Sequence, residues 1–177
     1  MYWNRKHVLV CTAQHCMEKG ALNVAGRMRI AMRRSGLDAD VLVNTCDSID
    51  LCDCGPNMIV YPEKVIYSNV QISDIKEIMA HLEGGEPVER LMLGPDTPDE
   101  VARKNVYQDV VDAGWKIPAE QFGEISAAHG FDQKWVNEQA RRGFIARKEV
   151  DGEPTINPTT KALSRYRIDY QPAEAAE

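Results

Sequence analysis

The chain has no cysteine beyond residue 54, no apolar run long enough to cross a bilayer and no excess of positive charge. Each absence excludes something. A membrane-spanning helix needs ~20 predominantly apolar residues in succession. The first segment, Met1 to His7, is polar and basic and lacks the apolar core and small-residue cleavage site of a secretory signal. The expected location is therefore cytoplasmic, with no membrane partner. A formal net charge of −6 over 177 residues argues against bulk attraction to nucleic acid. Neither half is basic: residues 1–94 carry ten Lys/Arg against twelve Asp/Glu, and residues 95–177 carry eleven against fifteen. No internal repeat and no low-complexity segment is present. No nucleophile–base arrangement suggests substrate chemistry, so the expectation is a protein that is not itself an enzyme.

What is present is concentrated early. All five cysteines, Cys11, Cys16, Cys46, Cys52 and Cys54, fall in the first 54 residues. An odd count in a cytoplasmic chain argues against a disulfide framework. Cysteine used as a small core hydrophobe would scatter along the chain, so this crowding points to a thiolate site.

The periodicities set out an α/β first half. His7–Cys11 is a short β-branched strand, and apolar residues at helical spacing predict a helix over 17–34, stopped by Ser35-Gly36. Residues 40–44 read as a second strand. Residues 57–61 and 65–67 form a hairpin turned by Pro62-Glu63-Lys64. A second helix, N-capped by Ser73, presents Ile72, Ile75, Ile78 and Leu82 and ends at Gly84-Gly85. The order is βαβββα, which calls for one central sheet with helices packed on it.

Cys11 and Cys16 lie just past the first strand, and Cys46, Cys52 and Cys54 in the loop after the second. Two loops at neighbouring strand ends can converge on one small site. Four thiolates there suit a soft tetrahedral centre, either zinc or an iron–sulfur cluster. Structural zinc favours tight C-x2-C knuckles; the wider spacings here suit a two-iron unit better.

The runs VLVCTAQHC and DVLVNTCDSIDLCDCGPNMIVYPEKVIYSNVQISDIKEIMAHLEGGEPVERL resemble the thioredoxin-like [2Fe–2S] ferredoxins, a family related to the small [2Fe–2S] subunit of respiratory NADH dehydrogenase. The resemblance covers about residues 7–93. It implies a thioredoxin-like fold, a [2Fe–2S] cluster on four cysteines, low-potential electron transport, redox protein partners (a reductase and an electron-accepting enzyme) and a homodimer. Cys11, Cys16 and Cys52 fall on family ligand positions. The family's remaining position falls on Ser48. A thiolate is a better ligand for ferric iron than an alkoxide, so Cys46 is expected to serve instead, with Cys54 as the alternative and Ser48 third. Zinc, or a domain that has lost its cluster, are the competing readings. Gly55-Pro56 is expected to close the cluster loop by close backbone approach. His15 is read as a loop residue, with a Rieske-like ligand as the alternative. Asp47, Asp50 and Asp53 make the loop acidic.

Gly94 to Pro98 has turn composition and marks the boundary between residues 1–94 and a second module, 95–170, with 171–177 expected to be a disordered tail. The module reads as helices over 98–115, over a segment starting at Pro118 and ending near Gly130, and over 131–142. A hairpin turned by Asp151-Gly152 follows. Phe122, Phe131, Trp135 and Phe144 are its expected core. The order, with G-F-I and T-x-K-A-L phrases, resembles a winged helix. Gln133, Lys134, Asn137, Gln139, Arg141 and Arg142 would then lie on the helix that reads DNA in such modules. Residues 131–167 carry eight Lys/Arg against five Asp/Glu, yet the rest of the module is acidic. Docking of a protein partner is preferred. The rival readings are a cluster-based redox regulator bound to DNA, or an electron-relay subunit of a larger oxidoreductase.

Overall fold

The computed structural model describes residues 3–51 and 54–170. The chain divides into two compact units between Gly94 and Pro95.

In the first unit, strand β1 (Lys6–Cys11) runs parallel to β2 (Val41–Cys46) and antiparallel to β3 (Met58–Tyr61), which pairs with β4 (Val65–Tyr67). The sheet order is β2-β1-β3-β4. This is the central sheet expected from βαβββα, and its order agrees with the thioredoxin-like fold that the resemblance implies. The parallel pair needs a crossover, supplied by helix α2 (Ala21–Arg34). Ala21, Val24, Ala25, Met28 and Met32 form one buried stripe on α2. They meet Val8, Val10, Met58 and Val60 from the strands, and Ile75, Ile78 and Leu82 from helix α3 (Ile75–Leu82), in a single core. The period-2 alternation of the strands puts His7, Leu9, Leu42 and Ile59 on the other face, where they are half-buried.

Three expectations for this unit are corrected. The helix expected over 17–34 is two helices, α1 (Gln14–Glu18) and α2, separated by Gly20 at φ 90°. That left-handed residue redirects the chain, and periodicity alone does not register it. The second strand does not stop at Asn44 but runs to Cys46, so Cys46 belongs to a strand and not to the loop. Ser73 is not the cap of the second helical segment: Gln71 and Asp74 cap each other across the 3₁₀ turn Ile72–Asp74, and Ile72 is 50% exposed instead of sitting on the core face.

The second unit follows the order α4 (Pro98–Asp112), β5 (Ile117–Pro118), α5 (Ala119–Ala128), α6 (Gln133–Arg141), β6 (Ile145–Val150), β7 (Glu153–Pro158) and α7 (Thr160–Tyr166). Its sheet order is β5-β7-β6, all antiparallel. Val106, Tyr107, Val110, Phe122, Val136, Phe144, Ile145, Ile156 and Leu163 make its core. The first helix is shorter than the expected 98–115 because Gly114 and Trp115, both at positive φ, turn the chain into β5. On that helix Val106 and Val110 are buried, while Val101 is 39% exposed. Pro118 precedes α5 instead of lying in its first turn. Phe131 and Trp135 are only half-buried, stacked on each other at 4.3 Å. The expected tail, 171–177, lies outside the described residues.

Candidate metal centre

The parallel pairing of β1 and β2 sets the centre. Cys11 and Cys46 are the last residues of these strands and are partners in register. Beyond them the two loops leave on the same side of the sheet, as crossover topology demands. Thr12 fastens the ends together: both its amide and its hydroxyl donate to the Cys46 carbonyl, each at 2.8 Å. The Cys11 thiol donates to the Asp47 carbonyl at 3.2 Å.

Cys16 is carried on α1 and is fully buried. Gly55 packs directly against it. A Cβ built on Gly55 would lie 2.6 Å from the Cys16 sulfur, closer than real Cβ contacts allow. Glycine is required here by that approach, not by its backbone angles.

The loop 54–57 is clamped from several sides. The Cys11 amide donates to the Asn57 carbonyl at 2.9 Å, and the Val70 amide to the Pro56 carbonyl at 3.0 Å. The Asn69 amide donates to the Cys54 carbonyl at 2.7 Å, and the Asn69 side chain reaches the Gly55 and Cys54 carbonyls at 3.2 Å. Asn57, 1% exposed, donates its side-chain amide to the Leu51 carbonyl. Asn57 and Asn69 were not singled out from the sequence. The signal for Asn57 was a polar residue directly after Gly-Pro and ahead of an apolar strand. Asn69, at φ 52°, gave none.

The candidate sulfurs are not equivalent. Cys11 and Cys16 belong to the main core, and Cys46 packs against it. Cys54, 4% exposed, belongs to a separate small cluster with Leu51 and Leu93. Burial pushes the Cys46 thiol up, and nearby Cys11 and Asp47 push it the same way. Positive charge bound beside these thiols would reverse that preference and favour thiolates. Ser48 is exposed and accepts the Asp50 amide at 3.0 Å. His15 is half-buried on α1 next to Cys16. Cys52, expected to be a ligand, lies outside the described residues together with Asp53. Among the described residues no group of three or more His, Cys, Asp or Glu side chains stands ready as a preformed metal site.

The surface of the second unit departs from the sequence expectation at one residue. Gln139 does not face outward. It is 1% exposed and accepts the Tyr107 hydroxyl at 3.0 Å. Gln133, Lys134, Asn137 and Arg141 are exposed, with Arg141 paired to Glu138 at 2.7 Å. Arg142 is half-buried with its guanidinium 4.6 Å from the centre of the Phe144 ring.

No protein-family model matches the chain. It is 32% identical over 98 residues to a [2Fe–2S] ferredoxin of Clostridium pasteurianum, an alignment spanning 50% of this chain and 96% of that protein. It is 32% identical over 106 residues to a [2Fe–2S] ferredoxin of Aquifex aeolicus (strain VF5), spanning 52% of this chain and 93% of the relative. Among solved structures, the thioredoxin-like [2Fe–2S] ferredoxin from Aquifex aeolicus, determined at 1.5 Å, aligns with TM-score 0.49 and 31% identity over 51% of this chain and 98% of its own.

Proposed function

Because the chain belongs to the thioredoxin-like [2Fe–2S] ferredoxin family, we propose that its first unit holds one [2Fe–2S] cluster and that the protein is a low-potential one-electron carrier between redox proteins, not an enzyme. When bound, the cluster supplies a single one-electron couple. The chain's own residues do the rest. Cys11, Cys16, Cys46 and Cys52 are the proposed ligands. The observation that carries this set is the register pairing of Cys11 with Cys46, with Cys16 in the same packed core. Cys54, committed to a different cluster of side chains, is the alternative to Cys46. Gly55 gives Cys16 its room, and the clamped carbonyls of residues 54–57 hold the loop in one conformation.

The element order of the second unit supports the winged-helix reading, and its proposed role is to dock the protein partner. The exposed face of α6 is polar and cationic, as DNA reading requires, but the tip of the β6–β7 hairpin carries Glu149, Asp151 and Glu153, all exposed. Carboxylates there oppose contact with a phosphate backbone, which favours protein docking over DNA. The half-buried outer face of the first unit's sheet, with Leu9, Leu42 and Ile59, is proposed to pair with a second copy. Sedimentation of the holoprotein tests that pairing.

The central test is anaerobic purification with metal and sulfide analysis and EPR. Two irons and two sulfides per chain, with an S = ½ signal on reduction, are expected for one [2Fe–2S] cluster. A colourless, zinc-loaded protein overturns the proposal.

A further inference from the structure

Helix α2 carries Arg27, Arg29, Arg33 and Arg34 and no carboxylate, in a chain whose net charge is −6. Among the described residues no ion pair involves Arg27, Arg34 or, facing them from α3, Lys76. The same face is apolar. Leu22, Ile30 and Ile72 are 56%, 46% and 50% exposed, among the largest apolar exposures of the chain. They line two adjoining grooves of about 370 and 440 Å³ that share Arg27, Ile30 and Ile72. Gly26 lies in the first of them. A Cβ on Gly26 would meet nothing within 4 Å, so the fold does not demand glycine there. A glycine inside a helix weakens it relative to alanine. What the missing side chain does is keep the groove open.

We propose that this groove is a docking surface of the first unit, additional to the one proposed on the second, and that the redox partner it receives presents a protruding apolar side chain ringed by carboxylates. The proposal rests on the electron-carrier reading. Charge complementarity selects the occupant: three unpaired cations border an apolar slot on an otherwise acidic protein. Position supports it, because α2 begins just past α1, the helix that holds Cys16 and leaves Met17 45% exposed.

The test is a titration of the isotope-labelled holoprotein with a purified oxidised flavodoxin of net negative charge, followed by amide chemical shifts, at low and high salt. Shifts are expected to cluster on α2 and the Ile72–Asp74 turn. The affinity is expected to fall about tenfold as salt screens the contact, although both proteins are acidic overall. Gly26→Trp should fill the slot and weaken binding about tenfold, with the thermal midpoint not lowered and the cluster spectrum unchanged. The pair Arg27→Glu and Arg34→Glu should do the same through charge. Shifts located elsewhere, affinity that rises with salt, or concentration-dependent α2 shifts without flavodoxin (a second copy in the groove) overturn the proposal. Its failure is distinct from failure of the carrier reading: a chain that lacks iron and sulfide yet shows the α2 shifts supports the groove and overturns the carrier.

Discussion

The sulfur of Cys16 lies where it leaves no room for a side chain on Gly55: a Cβ there would come within 2.6 Å of it. Cys16 sits on a short helix and Gly55 in the loop that leads into β3, so this contact ties the two cysteine-bearing segments together. Gly55→Ala is expected to push Cys16 out of position, to lower iron per chain in anaerobic preparations, and to cost about 1–3 kcal/mol, the usual range for overpacking. Iron analysis and urea unfolding measure the two effects.

Cys46→Ser and Cys54→Ser should behave differently. Cys46 ends a strand opposite Cys11, whereas Cys54 packs with Leu51 and Leu93. The first variant is expected to lose or reshape the reduced EPR signal. The second should keep the signal and lose stability only, by roughly 1–3 kcal/mol for a hydroxyl placed among apolar groups. The opposite outcome would assign the ligand to Cys54.

Stability should fall in mild acid because of His81. Its ring is 2% exposed, and the Tyr67 hydroxyl and its Nδ1 are 2.7 Å apart. The Val88 amide donates to the same hydroxyl at 3.0 Å, and in the neutral Nε2–H tautomer of His81 the hydroxyl's own proton goes to Nδ1. Burial holds the His81 pKa below its ordinary 6.5, helped by Lys6 and opposed by Glu63 and Glu86. The folded form thus takes up this proton less readily than the unfolded chain. The contribution is fully present above about pH 6.5 and is lost as pH falls from there through the depressed folded value. Urea unfolding at pH 7.5, 6.0 and 5.0 measures it. Tyr67→Phe, which strands Nδ1 and the Val88 amide, should cost about 1–3 kcal/mol near neutrality.

Phe122→Ala should unfold the second unit and spare the first. Phe122 is fully buried in the second unit's own core. A loss of about 3–5 kcal/mol is expected for that unit. The cluster EPR signal should be unchanged, while proteolysis after residue 94 accelerates. Loss of the signal would show that the two units fold as one.

Much of the site was readable before folding. Cys11 and Cys16 stand at the end of a β-branched run, and Gly55-Pro56 follows the later cysteines, so strand ends and loop closure followed from local pattern. Period-2 and helical spacings gave βαβββα because a residue's face in a strand or helix depends only on its neighbours along the chain. That local rule has limits. It ran two helices together across Gly20 and ended β2 at Asn44, since a left-handed turn and a final ladder pair leave no periodic trace. It offered Gln139 to solvent, where the fold buries it against Tyr107.

The sequence by itself determined the kind of chemistry, because soft thiols crowded into one short stretch suit few centres. The resemblance ranked those thiols as ligands, and only the tertiary structure decided what each one packs against. Parallel pairing sets Cys46 opposite Cys11, close approach makes Gly55 the neighbour of Cys16, and Cys54 turns toward Leu93. Those relationships join residues far apart in the chain, and side-chain packing, which sequence spacing does not encode, decides them.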